Sequence, residues 1–105
     1  MVLSITTENF EKEVLQSDIP VLVDFYATWC NPCRLVEPTI EEIAKEFEGK
    51  IKVGKVDVET QKELVFKYKI MSVPTFFIFR DGVKVAELQG NNSKEHFVKK
   101  LVEVI

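Results

Sequence analysis

Two cysteines, one histidine, one tryptophan, four glycines and four prolines are all that the sequence offers of the residues that staple, ligate or break a chain. Two cysteines cannot build a disulfide-stapled scaffold, and a chain of 105 residues buries enough core to fold without one. The scarcity of glycine and proline, beside 46% hydrophobic and 30% charged residues, excludes low-complexity and disordered chains. Positive charge in excess is also missing. The net charge of -3 is spread as interspersed acids and bases, leaving no basic stripe, so nucleic acid is not expected as a partner. No apolar run approaches the roughly 20 residues of a spanning helix, so no membrane association is expected. The opening segment MVLSITTENF has neither a basic leader nor a long apolar core. A leader removed from a longer precursor aside, the expectation is a cytoplasmic chain that carries no signal for secretion or insertion. The length implies one domain, residues 1–105, with function on a single small fold.

What is present alternates in period. Val2 to Ile5 suits an edge strand, and Thr7 can cap a helix whose buried stripe is Phe10, Val14 and Leu15. Val21 to Tyr26 is almost continuously apolar and rich in β-branched and aromatic residues, as in a central strand covered on both faces, and only Asp24 interrupts it. From Pro32 to Phe47 the residues Val36, Ile40, Ile43, Ala44 and Phe47 recur at helical spacing, with Cys33 one turn earlier on the same stripe. Pro38 should kink this helix, and Gly49 should end it. Ile51 to Val58 reads as a second interior strand, Gln61 to Tyr68 as a short helix, and Thr75 to Phe79 as a third strand.

Alternation of β and α to this point implies parallel pairing. Asp81-Gly82 then signals a tight hairpin that sets Val83 to Leu88 antiparallel to its predecessor, so the sheet is mixed. Asn92 or Ser93 begins a last helix, with Glu95 placed to complete a capping arrangement from Asn92, and with Phe97, Leu101 and Val104 facing inward. The order βαβαβαββα describes an α/β domain: one central mixed sheet of about five strands between helices.

Cys30 and Cys33 stand one helical turn apart between the buried strand and the mouth of a helix, a spacing that lets a disulfide open and close locally. Unpaired N–H groups at a helix N-terminus carry partial positive charge and favour a thiolate at Cys30, the expected nucleophile. Pro32 needs no N–H partner in the first turn and stiffens the pair. Cys33, further in, is placed to resolve a mixed disulfide. A zinc site is the rival for any such pair. It fails for want of ligands, because there is no second cysteine pair and His96 lies far off in the last helix, so no metal is expected. Inert packing is a poor account of two cysteines around a proline at a strand-to-helix junction.

The run VDFYATWCNPC from Val23 to Cys33, with VPT at Val73 to Thr75 and a glycine at Gly90, resembles the thioredoxin family, and nearly the whole chain matches that family's layout. The resemblance implies the thioredoxin fold, with Trp29 beside the active disulfide, Asp24 buried behind Cys33, and a cis peptide at Val73-Pro74 facing the cysteines. Trp29, directly before a nucleophile expected to be exposed, then covers one side of the site and contacts substrate. A cis Pro74 presents the backbone of Val73 to an extended client chain, and Trp29, Met71, Val73 and Gly90 form a docking surface.

A carboxylate in an apolar central strand is costly unless it is paired or protonated. Hydrogen bonding of Asp24 to backbone or water is one resolution. The other is a raised pKa that lets Asp24 exchange a proton with Cys33, modulated by Lys55 on the neighbouring strand.

Two departures from the family pattern stand out. Asn31 precedes Pro32 where the family has glycine, which leaves the redox poise open. Gln89 and Asn91 are more polar than the family's usual neighbours of Gly90. The implied function is a recycled protein-disulfide reductase, expected to be monomeric and without a cofactor, recharged by a thioredoxin reductase and acting on disulfide-containing client proteins. An oxidant or isomerase of an oxidising compartment, or a binding subunit with incidental redox turnover, are the alternatives.

Overall fold

Valine, isoleucine, phenylalanine and tyrosine fill the strand segments, and in the computed structural model, which describes residues 1–105, these segments form one five-stranded sheet. The strands β1 (Val2–Ser4), β2 (Val21–Tyr26), β3 (Lys52–Asp57), β4 (Thr75–Arg80) and β5 (Val83–Gln89) lie in the spatial order β1-β3-β2-β4-β5. Helices α1 (Asn31–Glu46), α2 (Lys62–Tyr68) and α3 (Lys94–Val102), with a short helical turn at Glu11–Leu15, flank the sheet. No helix is long and apolar enough to cross a membrane.

Period-two alternation divides the side chains of β2 between two cores. Leu22 packs with Val36, Ile40 and Ile43 of α1 and with Phe97 and Leu101 of α3. Val21, Val23 and Phe25 point the other way, to Phe10, Val14 and Leu64. Burial of every residue from Val21 to Phe25 is what two covered faces require. In α1 the buried residues Cys33, Val36, Ile40, Ile43 and Ala44 follow the expected stripe, and the helix runs on through Pro38. It ends at Glu46. Gly49 lies beyond, with a φ of 86° that an L side chain resists, where the chain turns into β3.

Parallel pairing holds for β1 with β3 and for β3 with β2, but β4 runs antiparallel to β2. The register shows how: Asp57 at the end of β3 lies opposite Tyr26 and Thr75 at the start of β4 lies opposite Phe25, so the connection through α2 stays at one end of the sheet and does not cross back to the other. The chain re-enters at the end where β3 left it, so Pro74 arrives beside the C-terminal end of β2. The hairpin between β4 and β5 forms as expected, with φ of 53° at Asp81 and 79° at Gly82.

Three local expectations are corrected. Thr7 does not cap the first helical turn, because its N–H and hydroxyl are directed to Gln61 Oε1 at 2.9 and 3.3 Å. Thr6 and Asn9 close that turn reciprocally, each side-chain oxygen accepting the other's backbone N–H. The expected first helix is only five residues long, with an i to i+5 bond from Gln16 N–H to the Glu11 carbonyl. At α3 the cap is Ser93, whose hydroxyl accepts the His96 N–H at 3.2 Å. Asn92 Oδ1 meets His96 Nδ1 instead of entering a box with Glu95.

Gly54 in β3 serves close approach. A Cβ there would lie 2.5 Å from Ile5 Cγ1, so the missing side chain makes room for Ile5 against the sheet.

Candidate active site

β2 ends at Tyr26, and four residues later Cys30 stands immediately before α1 in extended backbone, with φ of -85° and ψ of 115°. Its Sγ accepts the backbone N–H of Cys33 at 3.2 Å, which makes sulfur the cap of the helix. Asn31 and Pro32 fill the first two helical positions and are exposed. Pro32 sits where a missing N–H leaves no intrahelical bond unmade. Cys33 faces inward from the first turn. The two cysteines form a disulfide with their Cα atoms 5.3 Å apart.

Both are covered. Cys30 is 3% exposed and Cys33 5%, so in the disulfide form the exposure expected of Cys30 is not found, and accessibility does not tell the two apart. Position does, because Cys30 lies outside the helix with its sulfur on a helix N–H, whereas Cys33 lies within the helix on its sheet-facing stripe.

The second wall comes from a segment more than forty residues further on. The Val73-Pro74 peptide is cis, and the Val73 carbonyl oxygen lies 3.8 Å from Cys30 Sγ. Pro74 is buried, and its carbonyl accepts the Gly90 N–H at 2.9 Å, which joins the start of β4 to the end of β5. The Thr75 hydroxyl donates to the Ser72 carbonyl at 2.7 Å and fixes the loop from the other side. The Val73 N–H has no partner in the chain. Trp29 is 64% exposed and Met71 94%, an unusual display of large apolar groups. Together with Val58, Val65, Ile70 and Val73 they line a cleft of about 350 Å³. Gly90 is half-buried, with Gln89 and Asn91 exposed beside it.

Asp24 points to the α1 side of the sheet, since Leu22 on the same face packs under α1 while Val21, Val23 and Phe25 face the opposite core. The residue is 6% exposed, and its Oδ1 has no hydrogen-bond partner. Burial therefore pushes its pKa from 3.8 up to about 7. The positive charge of Lys55 opposes the rise, and the negative charge of Glu37 adds to it. Lys55 is the register partner of Asp24 on β3, and its Nζ stands 5.3 Å from the Tyr26 ring centroid rather than in an ion pair with the carboxyl.

Cys30, Cys33, Trp29, Val73 and Pro74 thus gather at one end of the sheet, and Asp24 and Lys55 share the face covered by α1, the helix that carries Cys33. Glu37 was not anticipated. It lies one turn beyond Cys33 on α1, and that i+4 spacing from a cysteine over a buried acid is the signal that marks it. Of the other cleft residues, Val58 and Val65 carry only a strand and a helix expectation, and Ile70 carries none.

The sequence matches the profile of the family described as "Thioredoxin" over residues 1–103. It is 50% identical to "Thioredoxin 1" of Nostoc sp. over 86 residues, which are 82% of this chain and 80% of that protein. To "Thioredoxin" of Rickettsia bellii it is 43% identical over 99 residues, 94% of each chain. To the "Bifunctional thioredoxin reductase/thioredoxin" of Mycobacterium leprae it is 39% identical over 103 residues, 98% of this chain and 22% of that protein.

Proposed function

Given that this chain belongs to the thioredoxin family, a thiol–disulfide oxidoreductase working by dithiol–disulfide exchange at Cys30 and Cys33, we propose that Cys30 is the nucleophile and Cys33 the resolving thiol. The observation that carries this assignment is the sulfur of Cys30 at the N-cap of α1, accepting a helix N–H. Partial positive charge at that position stabilises a thiolate, the form that attacks.

In the reduced protein, Cys30 thiolate attacks one sulfur of a client disulfide. A mixed disulfide forms and one client thiolate leaves. Cys33 then loses its proton and attacks Cys30 Sγ, which releases the second client thiolate and restores the Cys30–Cys33 disulfide. Two electrons pass to the client. Asp24, with a pKa near 7, holds or releases a proton with little bias at neutral pH and accepts the one from Cys33, while Lys55 sets how readily it does so.

Docking uses the Val73 backbone, whose free N–H and exposed loop suit pairing with an extended client segment, and the apolar surface of Trp29, Met71, Val73 and Gly90. Asn31 and Pro32 shape the approach to Cys30, and Pro74 fixes the loop opposite. The pair needs no further cofactor for this chemistry. A thioredoxin reductase recharges the disulfide, a partnership supported by the relative in which reductase and thioredoxin are one polypeptide. The setting is a reducing compartment such as the cytoplasm, with the protein acting as a monomer.

The test is trapping. Cys33→Ser, mixed with a protein disulfide, should accumulate a mixed disulfide through Cys30, whereas Cys30→Ser should neither trap nor turn over. Equal trapping by both variants would remove the assignment of roles.

A further inference from the structure

Met71, at 94%, is the most exposed of the large apolar side chains, and it forms the ridge between two clefts. One, of about 350 Å³, runs between Trp29 and Val73. The other, of about 400 Å³, reaches Lys84, Glu87 and Gln89 of β5. A thioether is oxidised without prior deprotonation, so an accessible methionine reacts with peroxide even while the cysteines are held as a disulfide. Met1, 85% exposed, is the other methionine; it precedes the N-terminal end of β1, away from the sheet end that carries the cysteines, and lines a pocket with Leu3 and Gly49.

We propose that Met71 is a modification site at which hydrogen peroxide weakens client docking, leaving the exchange chemistry of Cys30 and Cys33 intact. The proposal rests on the docking surface described above. The sulfur lone pair attacks one peroxide oxygen, the O–O bond breaks, an S–O bond forms, and the second oxygen leaves as water with the peroxide protons. The sulfur is oxidised by two electrons and the peroxide reduced by two. The sulfoxide places a strong dipole and an acceptor oxygen on the ridge between the clefts, where a client's apolar side chains would have to strip its water without supplying a donor. No bond to either cysteine changes.

The experiment treats the disulfide form with hydrogen peroxide, locates the added oxygen by peptide mass spectrometry, removes the peroxide, and measures reduction of insulin and of a small aromatic disulfide. Met71 sulfoxide should raise KM for insulin about fivefold, the scale of losing the burial of one thioether group. The rate with the small disulfide should hold. Sulfoxide reductases of both epimer specificities with dithiothreitol should restore KM. Met71→Leu, compared with itself before and after peroxide, should show no such rise.

Three results with peroxide would overturn the proposal: Met71 left unoxidised when Met1 is fully converted, Met71 sulfoxide formed with KM unmoved, or the same peroxide-dependent rise in Met71→Leu. Untreated Met71→Ala separates the two levels. Wild-type KM in that variant would remove the docking surface itself, and the modification with it, whereas a raised KM keeps the surface and leaves the peroxide results to decide.

Discussion

Asp24→Asn should abolish a pH-dependent loss of stability that the wild-type disulfide form carries. Well below its ordinary value of 3.8 the carboxyl is neutral in both folded and unfolded chains. Between its ordinary value of 3.8 and its folded value of about 7, the unfolded chain ionises while the folded chain keeps its proton. Each pH unit in that window lowers the stability of the wild type by about 1.4 kcal/mol, about 4 kcal/mol in all, and above the folded value the penalty stays constant. The sign follows from the direction of the shift: the contribution of Asp24 to stability is fully present below its unfolded value and is lost as pH rises to about 7. Since a small domain holds only about 5–15 kcal/mol in total, a change of this size is readily seen. Guanidinium unfolding of both proteins as disulfides, at intervals from about pH 4 to about pH 9, supplies the difference. The amide variant should gain on the wild type steadily up to about pH 7 and then run parallel to it. A constant offset, from whatever the amide itself bonds to, leaves this slope untouched. A difference that does not vary with pH would refute both the burial argument and the proton-exchange role built on it.

The charges around Asp24 should move that window in opposite directions. Glu37→Gln removes a like charge and ends the stability loss at a lower pH, whereas Lys55→Met removes a cation and extends the loss to higher pH. Both are read from the same unfolding series, and a shift in the same direction for the two variants would contradict the assignment. Gly54→Ala should destabilise by about 2 kcal/mol, because the new methyl group collides with Ile5 inside a packed core. Pairing it with Ile5→Val should recover part of the loss in a double-mutant cycle.

The parts of the fold visible in the sequence were those set by local pattern. The β-branched run of β2, the stripe of α1 and the Asp81-Gly82 turn each depend on neighbours within a few residues, and the structure keeps all three. Direction of β4 is not encoded in any local pattern: it depends on which end of the sheet the connection from Asp57 to Thr75 delivers the chain to, and that is seen only in the register. Thr7 was a sound cap by composition, yet Gln61, 54 residues away, takes its donors. The site divides in the same way. Cys30, Pro32 and Cys33 announce a helix mouth by spacing, and Asp24 announces itself as a lone acid in an apolar strand. Nothing local brings Val73 and Pro74 against Cys30 across 43 residues, so that wall was visible only through the family resemblance. Glu37 was hidden because it is an ordinary exposed helix residue, made relevant only by the buried carboxyl beneath its helix.

The central claim is that the Cys30–Cys33 pair gives electrons to client disulfides, and its equilibrium potential tests that most directly. Equilibrating the pair with defined thiol–disulfide buffers, with Asn31 in place, should return a value more reducing than about -230 mV, below the range of glutaredoxins. A value near about -120 mV, that of a strong periplasmic oxidant, would contradict the account and assign the protein to disulfide formation instead.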